Sequence, residues 1–326
     1  MKRFMSCMAF GSLVLSPALV CGVSAEPASV IKVLIDSARS GDVISLPEGR
    51  FEGQVVLKEG VAIVGAESGK TVIDGTGRET VVAGAPDSVI SGVTIVGGKT
   101  GIDTKGSFMG IFDCIIQGDK NIGIHVSGGS AVIVNNLVAG GSIRCNSSCP
   151  TIICNTIAPK CADGIWTWYA PGPKVIDNLI VGAAFGIRAG ADSVPSLQNN
   201  ALWKNEKDLD GCEADGAAIK ADPLFVDPEE GDYRLSGSSP LRSAGCPVEG
   251  LWNGEKPDVG RNAGRSCDLE ECKALMEAVA AEIVQKGAVL IYTLGDEPGA
   301  ILVTVKDSRK SFSIHSSTDR TAISDI

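Results

Sequence analysis

Short apolar runs alternate with short polar turns along most of the chain, most regularly between about residues 80 and 205. Each run has three to five residues and is rich in Val and Ile, and Gly, Asn, Asp and Ser fill the turns. The runs are too short for helices, and their apolar positions show no helical period. This region is therefore predicted to consist of short β-strands that are connected by tight turns.

The strands recur about every 22 residues. Six tetrads of similar pattern have starts that are 21, 22, 19, 23 and 22 residues apart, at Gly92, Asp113, Asn135, Cys154, Asp177 and Asn199. A Gly-Ile or Ser-Ile pair repeats in step, at Gly101, Gly123, Ser142, Gly164 and Gly186. A period of this size is typical of solenoids, in which each repeat buries its apolar face against the next one. The pattern predicts an all-β solenoid of parallel strands, a parallel β-helix.

One polar position of the repeat predicts an interaction between coils. Asn occupies it at 136, 155, 178 and 200, and Cys114 occupies it in an earlier repeat. Asn tolerates a left-handed backbone, and stacked amides can hydrogen-bond along the axis of the stack. We therefore expect an Asn ladder at one corner of the β-helix.

Both ends of the chain depart from the repeat. Apolar residues between 29 and 39 have helical spacing, which predicts a capping helix over the open end of the first coil. Residues 267–326 break the period, with a predicted helix at 269–286 and β-like runs at 289–293, 300–305 and 311–314. The chain is therefore divided into a β-helix domain (26–250), a linker (251–266) and a small C-terminal α/β appendage (267–326).

Residues 1–25 have the features of a secretory signal. Lys2 and Arg3 precede an apolar run that ends near Val20, and Val23-Ser24-Ala25 supplies small residues for cleavage. The run is too short and too interrupted for a membrane span, and no other segment could form one. The sequence thus predicts export to the periplasm, the cell surface or the medium.

Charge and cysteine content narrow the class of protein further. The net charge of −10 argues against a nucleic-acid partner, because phosphate binding requires a basic face. Nine of the 11 cysteines follow the predicted signal, which in an exported chain indicates some disulfides and at least one free thiol. The densest cluster has spacings of 4, 5 and 7 residues, which fit no standard pair of zinc-ligand hooks, at Cys145, Cys149, Cys154 and Cys161. The pairs considered for disulfides are Cys212 with Cys246, and Cys267 with Cys272 or Cys246.

Two segments carry a family resemblance. Residues 43–98 include Ser-Leu-Pro-Glu-Gly-Arg-Phe, Val-Ala-Ile-Val-Gly-Ala and Val-Ile-Ser-Gly-Val-Thr-Ile, and residues 222–241 include Asp-Pro-Leu-Phe-Val-Asp-Pro and Gly-Asp-Tyr-Arg-Leu-Ser. They resemble the first and last coils of bacterial β-helix proteins of the pectin-lyase-like superfamily, over roughly residues 30–250. The resemblance implies a right-handed helix. It leaves the activity open, because that superfamily includes lyases, hydrolases, epimerases and proteins that only bind or adhere.

The period also predicts which side chains become neighbours. Adjacent coils lie about 4.8 Å apart, and alternate residues of a strand face outward. If Ile of the Gly-Ile pair faces inward, the following residue faces outward in every coil, which gives the column Asp103, His125, Arg144, Trp166 and Arg188. Two residues further on lies a second outward column, with Tyr169 just beyond it: Lys105, Ser127, Asn146, Trp168 and Gly190.

These columns are the candidate site for an acidic polysaccharide. Trp166, Trp168 and Tyr169 offer flat surfaces for sugar rings, with Asn146 among them, and Arg and Lys can pair with uronate carboxylates. For β-elimination, His125 or Lys105 would be the base and Arg144 or Arg188 would hold the carboxylate, with Asp103 orienting His125.

Several alternatives remain open at this stage. Outward residues of a β-helix are polar in any case, so the columns could belong to a non-catalytic surface or periplasmic protein that binds or adheres to carbohydrate. A glycosidase needs two carboxyls about 5–9.5 Å apart, whereas Asp113 and Asp177 lie three coils, or about 14 Å, apart. No stacked trio of acids favours calcium, and no cofactor or metal ligand set is expected. Acids between 222 and 232 could hold an ion but more simply cap turns.

Overall fold

The protein is a right-handed parallel β-helix, as predicted. The structure is a computed structural model that describes residues 12–14, 27–66, 69–118, 121–158, 163–170, 172–213, 216, 218–248, 251–261, 265–285, 300–305 and 312–317. In this part of the chain, three parallel sheets follow one another around each coil. We number them I, II and III in the order in which the chain meets them.

The bounds of the strands follow the 22-residue period. Sheet I contains Ser12–Val14, Val43–Leu46, Ala62–Gly65, Ser88–Ser91, Met109–Phe112, Ala131–Val134, Thr151–Ile153, Lys174–Ile176 and Ser196–Gln198. Sheet II contains Gly49–Glu52, Thr71–Asp74, Thr94–Val96, Ile115–Gln117, Leu137–Ala139, Thr156–Ile157, Leu179–Val181 and Ala201–Trp203. Sheet III contains Val55–Val56, Thr80–Ala83, Thr100–Asp103, Ile122–Ser127, Ser142–Asn146, Asp163–Trp168, Phe185–Ala189 and Lys207–Asp210.

Stacked aliphatic side chains fill the interior of the coil. Ile90, Ile111 and Ile133 are register partners in successive strands of sheet I, and each is fully buried. In sheet III, Ile102, Ile124 and Ile143 are stacked and buried in the same way. Branched side chains pack well on a pleated surface, and each covers the one above it. Burial of these columns fixes which residues of every strand face outward.

The Asn ladder forms at the corner between sheets I and II. The side chain of Asn136 donates to Asn155 Oδ1 at 3.0 Å, and Asn155 donates to Asn178 Oδ1 at 2.9 Å. Asn178 donates in turn to Asn200 Oδ1 at 3.1 Å, and the backbone N–H of Cys114 donates to Asn136 Oδ1 at 2.9 Å. The ladder side chains are buried, so each amide replaces the water that a corner would otherwise need.

The left-handed residue at this corner is the one before the ladder Asn. Positive φ angles of 52–60° occur at the first tetrad position, at Asp113, Asn135, Cys154, Asp177 and Asn199. The expectation that the ladder residues themselves would use this conformation was wrong. The turn is made by the first residue of the pair, which leaves the second free to point inward and stack.

A helix covers the first coil, as expected. Helix α1, Pro27–Ser37, buries Ile31, Leu34 and Ile35 together with Ala38 in the same core as the coils. Before it, Ser12–Val14 pairs in parallel with Val43–Leu46. The remainder of the predicted signal, apart from these three residues, lies outside the described residues, so export stays a prediction. The predicted β run at 289–293 also lies outside them.

After the last coil the chain returns along the outside of the β-helix. It forms the antiparallel hairpin Phe225–Asp227 with Asp232–Leu235, a 3-10 turn at Trp252–Gly254 and helix α2, Leu269–Gln285. A second antiparallel pair joins Ala300–Val305 to Phe312–Ser317. Helix α2 packs on sheet I, in one buried cluster that includes Phe112, Val132, Cys272, Met276 and Val279. The division at 250 and 266 stays a prediction, but residues 251–279 share apolar packing with the coils.

Asp113 and Asp177, at the corner between sheets I and II, hydrogen-bond to the chain that returns along the outside of the β-helix. Asp113 accepts the backbone N–H of Cys267 at 2.8 Å and the side chain of Asn135 at 2.5 Å, while Asn135 also donates to Arg265 O. Burial raises the pKa of Asp113 to about 6, against the lowering effect of these hydrogen bonds.

The same contact is repeated three coils further on. Asp177 accepts the N–H of Cys246 at 2.8 Å and the side chain of Asn199 at 2.5 Å, and Asn199 donates to Ala244 O. In both cases an Asp and an Asn in successive coils hold a cysteine N–H and the carbonyl two residues earlier. Burial also raises the pKa of Asp177.

The disulfides expected from composition are not found in the described residues. Eight cysteines are free, at positions 114, 145, 149, 154, 212, 246, 267 and 272, and Cys161 lies outside the described part. Cys114, Cys145 and Cys154 are fully buried and pack as small apolar side chains. The Cys246 sulfur accepts from Gln198, and the Cys212 sulfur lies 3.7 Å from the carbonyls of Ile187 and Asp210.

The described ranges contain neither a membrane-spanning helix nor a cluster of metal ligands. No helix there combines the length and the apolar character that a membrane span requires. No group of three or more His, Cys, Asp or Glu side chains converges there as a metal site would.

Removing one amide of the Asn ladder should lower the stability of the fold substantially. Asn155→Ala leaves buried donors and acceptors on both neighbouring coils without partners, so we expect a loss of about 2–4 kcal/mol in the free energy of unfolding. Urea unfolding of the variant and of Gln117→Ala, an exposed amide in sheet II, measures this. Equal effects of the two substitutions would contradict a structural role for the ladder.

Candidate functional site

The residues of the first outward column are direct register neighbours on sheet III. Asp103 pairs with His125, His125 with Arg144, Arg144 with Trp166, and Trp166 with Arg188. Between this column and the next, the inward residues Val126, Cys145 and Thr167 are fully buried. Four coil spacings separate Asp103 from Arg188, or about 19 Å, so the column is long enough to contact several units of a polymer.

At one end of the column, Asp103 is the centre of a small charged group. Its carboxylate lies 2.7 Å from Lys105 Nζ and 3.8 Å from His125 Nδ1, and it accepts the backbone N–H of Lys105 at 2.9 Å. Burial by itself would raise the pKa of Asp103. The interactions with His125 and Lys105 outweigh it and lower this pKa to about 2. Asp103 is therefore an anion at neutral pH, in direct contact with the Lys105 ammonium and 3.8 Å from the His125 imidazole.

At the centre, Trp166 lies between two arginines. The guanidinium carbons of Arg144 and Arg188, one coil before and one coil after, are each 5.4 Å from its ring centroid. Stacking on an aromatic face is favourable for guanidinium groups and holds their long side chains against the sheet. The indole Nε1 of Trp166 is buried and has no hydrogen-bond partner among the described residues.

The two arginines differ in how their charge is matched. Arg188 lies 3.2 Å from Asp210 and 3.7 Å from Asp163, and it also stacks on Phe185. Arg144 donates through Nε to Ser142 at 3.1 Å, and no carboxylate of the described chain lies within ion-pair distance of it. Arg144 therefore lacks the direct ion pairs that Arg188 makes, although Asp163 interacts with its charge at longer range.

Asp163 and Asp210 belong to this site but were missed in the sequence. Asp210 is the next register partner after Arg188, so continuing the 22-residue period by one coil would have found it. Asp163 precedes the Gly-Ile pair of its coil and pairs with Phe185. Burial raises the pKa of Asp163, and the nearby arginines oppose this only in part. A hydrogen bond from Lys207, against a small effect of burial, lowers the pKa of Asp210.

The second column places the ring of Trp168 beside that of Trp166 in the first column. Asn146 pairs with both Ser127 and Trp168, and the rings of Trp168 and Trp166 are 4.6 Å apart at an angle of 40°. Tyr169 follows at the strand end with a positive φ of 49° and is 55% exposed. Gly190, in the next coil, leaves the flank of Trp168 uncovered, because a Cβ there would lie 3.1 Å from the Cβ of Trp168.

The acids near the last coil cap turns. Asp222 accepts the N–H of Leu224, Asp227 that of Glu230, and Asp232 that of Arg234. Asp232 also holds the Arg234 side chain in a salt bridge. Each of these three carboxylates accepts a hydrogen bond from its own loop, which agrees with a role in capping turns.

Comparison with known proteins gives similarity of architecture alone. No family model matches the chain, and no curated protein sequence matches it. Among solved structures, pectate lyase Pel9A is similar with a TM-score of 0.42 and 13% identity, over 71% of this chain and 90% of that one. A pectin methylesterase in complex with a hexasaccharide has a TM-score of 0.33 and 10% identity, over 63% and 94%. At these values the likeness carries no argument about activity.

The charged end of the column predicts a specific pH dependence. The folded-state pKa of Asp103 lies below its ordinary value of 3.8, so its charge stabilises the fold above about pH 4, and this contribution is lost as the pH falls toward 2. The contribution is about 2 kcal/mol. Asp103→Asn should therefore lose less stability than the wild type between pH 4 and pH 2. Chemical unfolding at each pH measures the free energy of unfolding. The control Asp192→Asn, which changes an exposed acid, should show the same pH dependence as the wild type. Parallel pH profiles for Asp103→Asn and the wild type would contradict the assignment.

Proposed function

We propose that the outer face of sheet III binds an acidic polysaccharide and cleaves it at uronate residues by β-elimination. The observation that carries the proposal is the unmatched guanidinium of Arg144, held between His125 and the ring of Trp166. Unlike Arg188, which pairs with Asp163 and Asp210, Arg144 has no described carboxylate within ion-pair distance, and its guanidinium lies on the Trp166 ring. A guanidinium binds a carboxylate through two parallel hydrogen bonds, which suits a uronate.

In the proposed reaction, Arg144 neutralises the uronate carboxylate and thereby acidifies the proton on the adjacent carbon. Neutral His125, one coil away, accepts that proton. The electron pair of the broken C–H bond forms a carbon–carbon double bond as the bond to the glycosidic oxygen breaks, and water supplies a proton to that oxygen. Asp103, at 3.8 Å from Nδ1, orients the imidazole so that Nε2 faces the ligand.

The other basic residues are given supporting roles. Lys105 Nζ already contacts the Asp103 carboxylate at 2.7 Å, which favours His125 as the base. Arg188 is held by two carboxylates and supports the Trp166 ring. Trp166, Trp168 and Tyr169 supply the surface on which sugar rings stack, and the Asn146 amide faces them in the second column.

A specific observation favours a second candidate, which is binding without turnover. The distance from Asp103 to His125 exceeds hydrogen-bond length, while Lys105 takes the same carboxylate at a shorter distance. An imidazole that is held this loosely is a weaker base. An exported carbohydrate-binding or adhesive protein would use the same arginine and aromatic residues but have no need of that base.

Binding is tested at Arg144. Arg144→Gln removes a charged hydrogen bond of about 1.5–3 kcal/mol, so we expect a roughly ten- to hundredfold weaker dissociation constant for oligogalacturonates or another oligouronate. Calorimetric titration measures it, with Arg242→Gln, an exposed arginine away from sheet III, as the matched control. If both variants bind as the wild type does, Arg144 is not the carboxylate site. Unchanged glycan binding after Trp166→Ala combined with Trp168→Ala would remove the proposed face altogether.

Catalysis is tested at His125. Incubated with pectate, alginate and glycosaminoglycans, the wild type should generate the absorbance of unsaturated uronate ends on at least one of them. His125→Gln should lower that rate by at least about a hundredfold while the oligouronate still binds. A wild type that binds but forms no unsaturated ends at any pH, with or without calcium, would support the non-catalytic function instead.

A further inference from the structure

A groove on sheet II, around a corner from the charged column, is an additional surface with different chemistry. Its volume is about 480 Å³, within the range of ligand pockets. The floor is formed at the third position of the sheet II strands, where Val181 and Trp203 are register partners and Ala158 lies in the coil before them. Ala158 and Val181 have small side chains, so the larger side chain of Trp203 bounds the groove at the end of this row.

The opposite wall is the hairpin that follows the last coil. Phe225 and Tyr233 meet edge to face with centroids 5.3 Å apart, and both line the groove. The wall is fixed in place: Phe225 packs against the cluster that contains Leu179 and Leu241, and Ser236 donates to the carbonyl of Leu224. Burial raises the pKa of the Tyr233 hydroxyl, which is therefore a neutral donor. The groove is preformed, so a ligand would not have to order it.

The charge of the groove is close to balanced, unlike that of sheet III. Lys204 contributes one cation, 5.8 Å from the Trp203 ring centroid, and Asp222 contributes one anion that already accepts the N–H of Leu224. The remainder of the lining is aromatic, proline or aliphatic, and Leu224 is 41% exposed. A contiguous apolar surface of this kind on a protein exterior marks a binding site.

We propose that this groove binds a neutral pyranose unit, stacked on Trp203 and hydrogen-bonded by Tyr233 and Lys204. The C–H face of a sugar ring suits an indole surface, and its hydroxyls need a few donors and acceptors at the edge, which these side chains supply. A uronate is disfavoured, because the lining holds one ammonium and one carboxylate and so has no net positive charge. A peptide that added a strand would have to pair with the outer edge of Ala201–Trp203, where Ile219 already bonds to the backbone of Asn200 and Leu202.

The test uses the full chain and neutral oligosaccharides built from glucose, xylose, mannose or galactose. Calorimetric titration should find at least one that binds, and Trp203→Ala should weaken its dissociation constant at least tenfold. Tyr233→Phe, which removes only the hydroxyl, should weaken it severalfold and keeps the aromatic wall. Urea unfolding of both variants establishes that they are folded.

Each other outcome contradicts the inference. The groove is not a sugar site if no neutral oligosaccharide binds, or if folded Trp203→Ala binds sugars as the wild type does. It is a peptide site instead if Trp203→Ala weakens the binding of a proline-rich peptide and of no sugar. Loss of neutral-sugar binding in Trp166→Ala but not in Trp203→Ala would assign that sugar to sheet III. Trp203 is remote from His125 and Arg144, so Trp203→Ala should cleave uronates at the wild-type rate. Uronate cleavage therefore tests the proposed lyase activity separately from this inference.

Discussion

Hydrogen bonding along the axis holds successive coils in register, and both candidate surfaces depend on it. The parallel ladders fix each strand against the next, and the amides of Asn136, Asn155 and Asn178 lock the corner where sheet I becomes sheet II. A slip of one residue would turn every outward side chain into the core. In the observed register, aliphatic side chains stack inside, and residues that are 19 to 23 positions apart in the sequence touch outside.

That register also determines which charged side chains on sheet III lie next to one another. Strands at this spacing force like and unlike charges into contact, and most of them are matched: Asp103 with Lys105, and Arg188 with two carboxylates. Matching within the protein leaves little for a ligand. Arg144 is the exception, because its neighbours along the column are an imidazole and an indole. The difference between the two arginines comes from which side chains lie one coil away, and it is the reason that the proposed function assigns the carboxylate to Arg144.

The sequence predicted the columns because their spacing follows from the period alone. Asp210 follows from the period as well, one coil beyond Arg188. Asp163 does not, because the equivalent position of the other coils carries no charge: Thr100, Ile122, Gly141 and Phe185. Other features depend on contacts with no period. The pairing of Asp113 with the Cys267 N–H joins residues 154 positions apart, and the free state of the cysteines depends on which core site each one fills. The sheet II groove requires a hairpin whose docking no repeat encodes.

The surroundings of the three sheets limit where ligands of different length can bind. Helix α2 occupies sheet I, and the returning chain crosses sheet II, where Gly260 and Arg261 reach Asp177 and Thr156. What remains on sheet II is a trough closed by Trp203 and the hairpin, which has room for a short segment of ligand. The column on sheet III extends over four coil spacings without such a crossing among the described contacts. Under the proposed functions, a long charged polymer would lie along the axis on sheet III so that its units meet successive coils, while sheet II would hold a single ring or a chain end.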